Sequence, residues 1–179
     1  APPSPMRPRL AILGRDEVAS ALRRSAPPTL HAAYSSVFGA IVTDPSLATL
    51  PLDDHGFHRG HAVFDTCNVA SGRAFGLSFH LDRLLRSAHA ARIHNPPTKE
   101  TLKSIILQTL AAADRQENVF ARYWLTAGRG DFAISPKRCE SASFYVAVHQ
   151  DTHSAEGPRG LTAVTIGAAE VRAEKRIKF

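Results

Sequence analysis

The sequence predicts an α+β domain, an antiparallel sheet with two helices packed on one side. Two observations carry this expectation. Strand-like stretches fill residues 32–70, two helical stretches fill residues 78–114, and strand-like stretches return after residue 118. Strands and helices grouped in blocks argue against an alternating βαβ layout. The sequence also has no internal repeat, no P-loop and no GxGxxG, the glycine signatures that a nucleotide-binding α/β fold would carry.

Each element has its own signal. Residues 14–25 read as a short helix, with Val18, Ala21 and Leu22 on one face and Asp16 and Glu17 in the first turn, where the helix dipole favours them. Residues 32–43 read as one strand, rich in aromatic and β-branched residues. Asp44 and Pro45 open a turn, and residues 47–54 read as extended. Residues 61–70 form the next strand. Its pleat puts Val63, Asp65, Cys67 and Val69 on one side and Phe64, Thr66 and Asn68 on the other. Ser71–Arg73 makes a hairpin turn, with residues 73–77 returning.

The clearest helix spans residues 78–93. Ser78 is its expected cap, and Leu81, Leu84, Leu85 and Ala88 form its apolar stripe. Pro96 stops it by pushing Asn95 out of the helical region. Thr98 caps a second helix with Leu102, Ile105, Ile106 and Leu110 on its apolar face, ending near Asp114. Strands follow at residues 118–128 and 142–150, around a long loop at 129–141. A polar turn, a last strand over 161–167 and a charged, weakly helical tail complete the reading.

The chain has 179 residues and a formal net charge of +6, a balance that suits an anionic substrate or nucleic acid. No apolar run reaches the ~20 residues of a membrane-spanning helix. Two cysteines without CxxC spacing read as reduced thiols rather than a disulfide framework. The proline-rich, basic start APPSPMRPR reads as the stub left by transit-peptide removal, or as an expression scar. The first reading places the protein in a plastid or mitochondrion, the second leaves it cytoplasmic.

Three clusters invite a functional reading. His55, His58 and His61 recur every third residue. On a helix the third falls about 600° around from the first, and on a strand alternate members point apart. A metal site is therefore not expected, and a solvated loop with partly structural histidines is. Arg83 lies beside the apolar stripe of its helix. It is either a solvated residue next to Arg86 or a fork of donors for phosphate or carboxylate. Arg122 lies inside an apolar strand. Burying it unpaired is costly, so it either pairs with a buried acid or points into a polar cavity.

Taken in order, LPLDDHGFHRGHAVFDT, FHLDRLLRSA and RYWLTAGRGDF resemble the class IV (fold type IV) aminotransferases, pyridoxal-phosphate-dependent enzymes, and among them the plant and algal D-amino-acid-aminotransferase-like proteins. The resemblance implies the N-terminal domain of that fold over residues 31–168, preceded by a basic segment at 1–30 and followed by a diverged interdomain tail at 169–179. It implies that Arg83, with His80 in the same motif, holds the cofactor phosphate. It places Phe64, Asp65, Arg122 and Arg129 on the substrate side, and the histidine loop as the lead-in to a strand lining the cofactor pocket. Lys178 lies at about the distance expected of the cofactor-bearing lysine, with Lys175 a poorer fit, although the family's Asn-Tyr-Leu context is missing. The implied activity is amino-group transfer between an amino acid and a 2-oxo acid by a homodimer, as part of a longer chain. These 179 residues alone are expected to be inactive. The alternative is a truncated pseudoenzyme without cofactor, acting as a structural subunit of an organellar assembly, with or without RNA.

Overall fold

Alternating polarity becomes a two-sided sheet. The computed structural model describes residues 10–115 and 118–151. It contains helix α1 (Arg15–Ser25), strands β1 (Leu30–Ser35) and β2 (Ala40–Val42), a short helix α2 (His55–His58), and strands β3 (Ala62–Ala70) and β4 (Arg73–Ala74). Helices α3 (Leu77–Ala90) and α4 (Lys99–Ala112) follow, then strands β5 (Val119–Thr126) and β6 (Ser143–Gln150). The six strands form one antiparallel sheet in the order β2-β1-β6-β5-β3-β4.

Helices α3 and α4 cover one face of this sheet, as expected. Cys67 and Val69 of β3, Ala121, Tyr123 and Leu125 of β5, and Phe144, Val146 and Val148 of β6 point inward. They meet Leu77, Leu81, Leu84 and Ala88 of α3 and Leu102 and Ile106 of α4. The helical stripes therefore match the expected ones, with Leu85, Ile105 and Leu110 at their margins. Thr98 caps α4 by accepting from the Thr101 N–H.

Three local expectations are corrected, and the shared face of α1 is found open. Residues 32–43 are not one strand but the hairpin β1–β2, because Ser36–Gly39 turn the chain. Gly39 takes φ +63° there, and both Phe38 and Gly39 donate to the Ser35 carbonyl. Strand propensity alone does not register such a turn. The stripe of α1 is not buried: Val18 and Leu22 are exposed, and no residue of that helix is enclosed. Gly76, in the left-handed conformation, stands at the α3 N-cap instead of Ser78, since Phe79 N–H and His80 N–H both reach the Gly76 carbonyl. The segment read as extended begins within a single 3-10 turn, Pro45–Leu47, capped by Asp44.

The Ser71–Gly72 turn has positive φ at both positions, +50° and +69°, the backbone a tight hairpin needs. Gly128 is forced differently: a Cβ there would run into the Ser141 carbonyl, where the long loop leaves and rejoins the sheet. The segment after residue 151, with the expected last strand, the charged tail, Lys175 and Lys178, lies outside the described residues, as do the proline-rich residues 1–9.

Replacing Leu81, which is fully enclosed between α3 and the sheet, by Ala is expected to cost about 2–5 kcal/mol. Leu85→Ala, at the margin of the core, costs less. Urea denaturation midpoints at constant m-value check both.

Candidate functional site

Register decides which side chains meet. Directly opposed residues in an antiparallel ladder share a face. Phe64 opposes Trp124, Trp124 opposes Tyr145, and Tyr145 opposes Ser35. The next row runs Thr66, Arg122, Ala147, Ala33. Both rows lie on the sheet face that α3 and α4 leave open. Phe64 is 62% exposed there.

Arg122 is the charged centre of this face. Its Nε donates to Thr66 Oγ1 at 3.1 Å. Its guanidinium carbon stands 5.7 Å from the Phe64 ring centre and 5.8 Å from that of Phe120, within cation–π range. The salt bridges among the described residues do not include Arg122. Of the two alternatives its sequence position left open, pairing with a buried acid is not seen among the described residues, and the side chain projects from the open face without lining a cavity there. Its charge reaches His149, which packs against Phe120 at 3.8 Å between ring centres. Burial first, and the Arg122 charge second, push the His149 imidazole below its ordinary value.

A cavity of about 430 Å³ opens beside this cluster, with Phe38, Leu47, Phe57, Trp124 and Tyr145 in its wall. Asp54 lies at its edge and is buried. Three donors hold that carboxylate: Gly56 N–H at 2.7 Å, Thr126 Oγ1 at 3.0 Å and Tyr145 OH at 2.7 Å. The knot joins the loop before β3 to β5 and β6. Sequence reasoning missed it because its partners stand 72 and 91 positions away. Trp124 was also missed, although its place two residues from Arg122 on one strand puts both on one face.

The other expected site residues separate into two further groups. Asp65, His80 and Arg83 meet on the helix side of β3. Arg83 Nε donates to Asp65 Oδ2 at 2.8 Å and Arg83 Nη2 donates to Oδ1. His80 Nδ1 lies 3.0 Å from Oδ1, and Thr66 N–H donates to the same oxygen at 2.7 Å. The Asp65 side chain is 2% exposed and that of Arg83 is 61% exposed. Burial raises the Asp65 pKa, but Arg83, the Thr66 N–H and His80 more than offset it, so the carboxyl sits below its ordinary value. Arg129 lies in the loop after β5, where Asp53 engages it through Nε and Nη2 at 2.8–3.0 Å. The pleat of β3 explains the first separation: consecutive residues Phe64 and Asp65 cannot face the same way.

The histidine loop is not solvated throughout. Asp54 caps the short helix α2, and His55 is buried with its Nε2 2.9 Å from the Asp131 carbonyl. His61 Nε2 lies 2.7 Å from the Ala91 carbonyl at the end of α3. Among the described residues no group of His, Cys, Asp or Glu is placed to hold a metal. Cys67 and Cys139 are free, and burial pushes the Cys67 thiol up to about 11. No helix among the described residues is long and apolar enough to cross a membrane.

The profile of the amino-transferase class IV family matches residues 62–176, and the chain belongs to that family. It is 46% identical over 134 residues to the D-amino-acid transaminase, chloroplastic, of Arabidopsis thaliana, covering 75% of this chain and 35% of that protein. It is 31% identical over 124 residues to a putative branched-chain-amino-acid aminotransferase of Methanocaldococcus jannaschii, covering 69% and 42%. The chain thus spans well under half the length of these relatives. Its fold matches the branched-chain aminotransferase of the thermophilic archaeon Thermoproteus uzoniensis, solved with norvaline, at TM-score 0.57 and 24% identity over 68% of this chain and 41% of that one. The Escherichia coli branched-chain enzyme matches at TM-score 0.59 and 17% identity, covering 68% and 40%. These structures establish the fold as the N-terminal domain of the class.

The open face fits a flat, anionic group: it offers a cation without a carboxylate partner among the described residues, a hydroxyl and the exposed Phe64 ring. Asp65 takes the Nε and one terminal nitrogen of Arg83, whose side chain is otherwise exposed.

Tyr145→Phe removes one of three donors from buried Asp54 and is expected to lower stability by about 1–3 kcal/mol, measured by urea denaturation. Asp65 contributes stability above the ordinary carboxylate range, near pH 4. That contribution is lost as pH falls through its lowered native value. The stability gap between the native protein and Asp65→Asn is therefore expected to be full at pH 7 and to narrow on acidification below about pH 4.

Proposed function

We propose that this chain supplies the substrate-facing half of a pyridoxal-phosphate-dependent aminotransferase, acting between an amino acid and a 2-oxo acid. The observation that carries the proposal is the Arg122 guanidinium, held on the open face by Thr66 and two rings and without an acidic partner among the described residues. A fixed cation against apolar walls selects a carboxylate attached to an apolar body. Membership of the class IV family supports the reaction type.

When bound, pyridoxal phosphate supplies an electron-accepting ring for negative charge at the amino acid's α-carbon. This chain's part is to bind and orient. Arg122 takes a substrate carboxylate, and Phe64 and Trp124 form the apolar wall that excludes water from it. Lys178 is proposed as the cofactor-bearing residue on its sequence position alone. The exposed rings Phe57, Phe75, Phe79 and Phe132 suit a homodimer, the remainder of a longer chain, or both. The chloroplastic relative supports a plastid location.

The test is transfer of ¹⁵N from a panel of L- and D-amino acids to 2-oxoglutarate by the natural full-length protein with pyridoxal phosphate, read by mass spectrometry. Borohydride reduction followed by peptide mapping is expected to label the peptide containing Lys178. Absence of ¹⁵N transfer from every donor, with the cofactor demonstrably bound, overturns the proposal. Arg122→Gln is expected to raise KM for the amino donor at least about tenfold, the factor expected from loss of one charge-assisted hydrogen bond.

A further inference from the structure

We infer that the cavity beside Arg122 is the side-chain pocket of that site, and that Ala147 and Ala33 set its depth, so that it takes a carboxylate carrying an extended apolar chain. The inference rests on the reading of Arg122 as a carboxylate-binding residue and concerns the space beyond the carboxylate. Register places the two parts side by side. Arg122 opposes Ala147 on β6, and Ala147 in turn opposes Ala33 on β1. Ala147 and Ala33 both line the cavity, and Arg122 does not. Arg122 therefore stands one strand spacing, about 4.8 Å, from the first of these alanines and two spacings from the second. A chain leading away from a carboxylate on Arg122 crosses Ala147 and reaches Ala33 after about 10 Å.

Side-chain size decides where the room is. The adjacent row of the same face carries rings at Phe64, Trp124 and Tyr145, and the last two stand in the cavity wall with Phe38 of the β1–β2 turn and Phe57 of α2. The two alanines carry one methyl each, and their smallness leaves open the end of the cavity nearest the cation. A larger residue at position 147 would fill that end. The volume of about 430 Å³ is that of a small-molecule pocket.

The interior suits an apolar chain. Its buried hydroxyls are engaged: Thr126 Oγ1 and Tyr145 OH donate to Asp54, and Ser35 Oγ accepts the Val37 N–H. A polar tail would give up its water and meet a carboxylate whose donors are already committed, which is costly. An apolar tail instead frees water from the rings and from its own surface. The cation at the mouth and the apolar interior thus select the two ends of one ligand.

The experiment uses the natural full-length protein with pyridoxal phosphate and straight-chain carboxylates from acetate to octanoate, each compared with its uncharged amide. Binding is followed by calorimetry and by the fluorescence of Trp124, the one tryptophan in these 179 residues, whose signal is identified by its loss in Trp124→Phe. Carboxylate affinity is expected to rise about fourfold per methylene, and the Trp124 signal to change once the chain reaches the cavity. Ala147→Leu is expected to weaken hexanoate relative to acetate at least about tenfold. Ala147→Val, a smaller intrusion, gives a smaller loss in the same direction and carries the test if the leucine variant does not fold, which urea denaturation reports. No rise with chain length in the native protein, or the same rise in Ala147→Leu and Ala147→Val, overturns this inference. The reading of Arg122 then still stands if carboxylates outbind their amides. Equal binding of carboxylates and amides overturns the Arg122 reading and this inference with it.

Discussion

The pairing of β3 with β5 governs nearly everything else. Eight consecutive residues are in register, from Ala62 opposite Thr126 to Val69 opposite Val119. A slip of β5 by one residue would turn all of its side chains over. Ala121 and Tyr123 would then leave the core, and Arg122 would be driven into it. The apolar requirement of the helix-covered face therefore fixes the position of the cation on the other. Burial on one side and chemistry on the other are two results of one register.

The charged groups follow the same division. Behind the sheet a nearly inaccessible carboxylate is satisfied by an arginine, an imidazole and a backbone N–H. In front, a guanidinium is stabilised by a hydroxyl and ring faces, interactions that leave room for an external anion. At the edge of the front cavity a second buried carboxylate, Asp54, is held by neutral donors only. Its hydrogen bonds tie the loop before β3 to the ends of β5 and β6. Both of these buried carboxylates have their partners, which is what burial requires.

Much of this was legible in the residues. The α3 and α4 stripes, the Thr98 cap, the Ser71–Gly72 turn and the alternation of β3 are local patterns, and local patterns survive folding when packing agrees with them. The turn inside residues 32–43 was hidden because aromatic and β-branched residues flank it on both sides. The expected site was drawn from motif positions and so joined neighbours in sequence, Phe64 and Asp65, that the pleat sends apart. The alternation already written for β3 contains that correction. The Asp54 knot was not legible, since its hydroxyl partners come from strands far along the chain and nothing near Asp54 marks them.

Asp65 has one more effect, on the outer margin of the sheet. Among the described residues most of β3 has a strand neighbour on one side only, and strands left open in this way invite pairing with other chains. By holding the Thr66 N–H with a side-chain oxygen, the protein withdraws one of the donors that an incoming strand would need. The same carboxylate that organises the interior also guards against self-association through this rim.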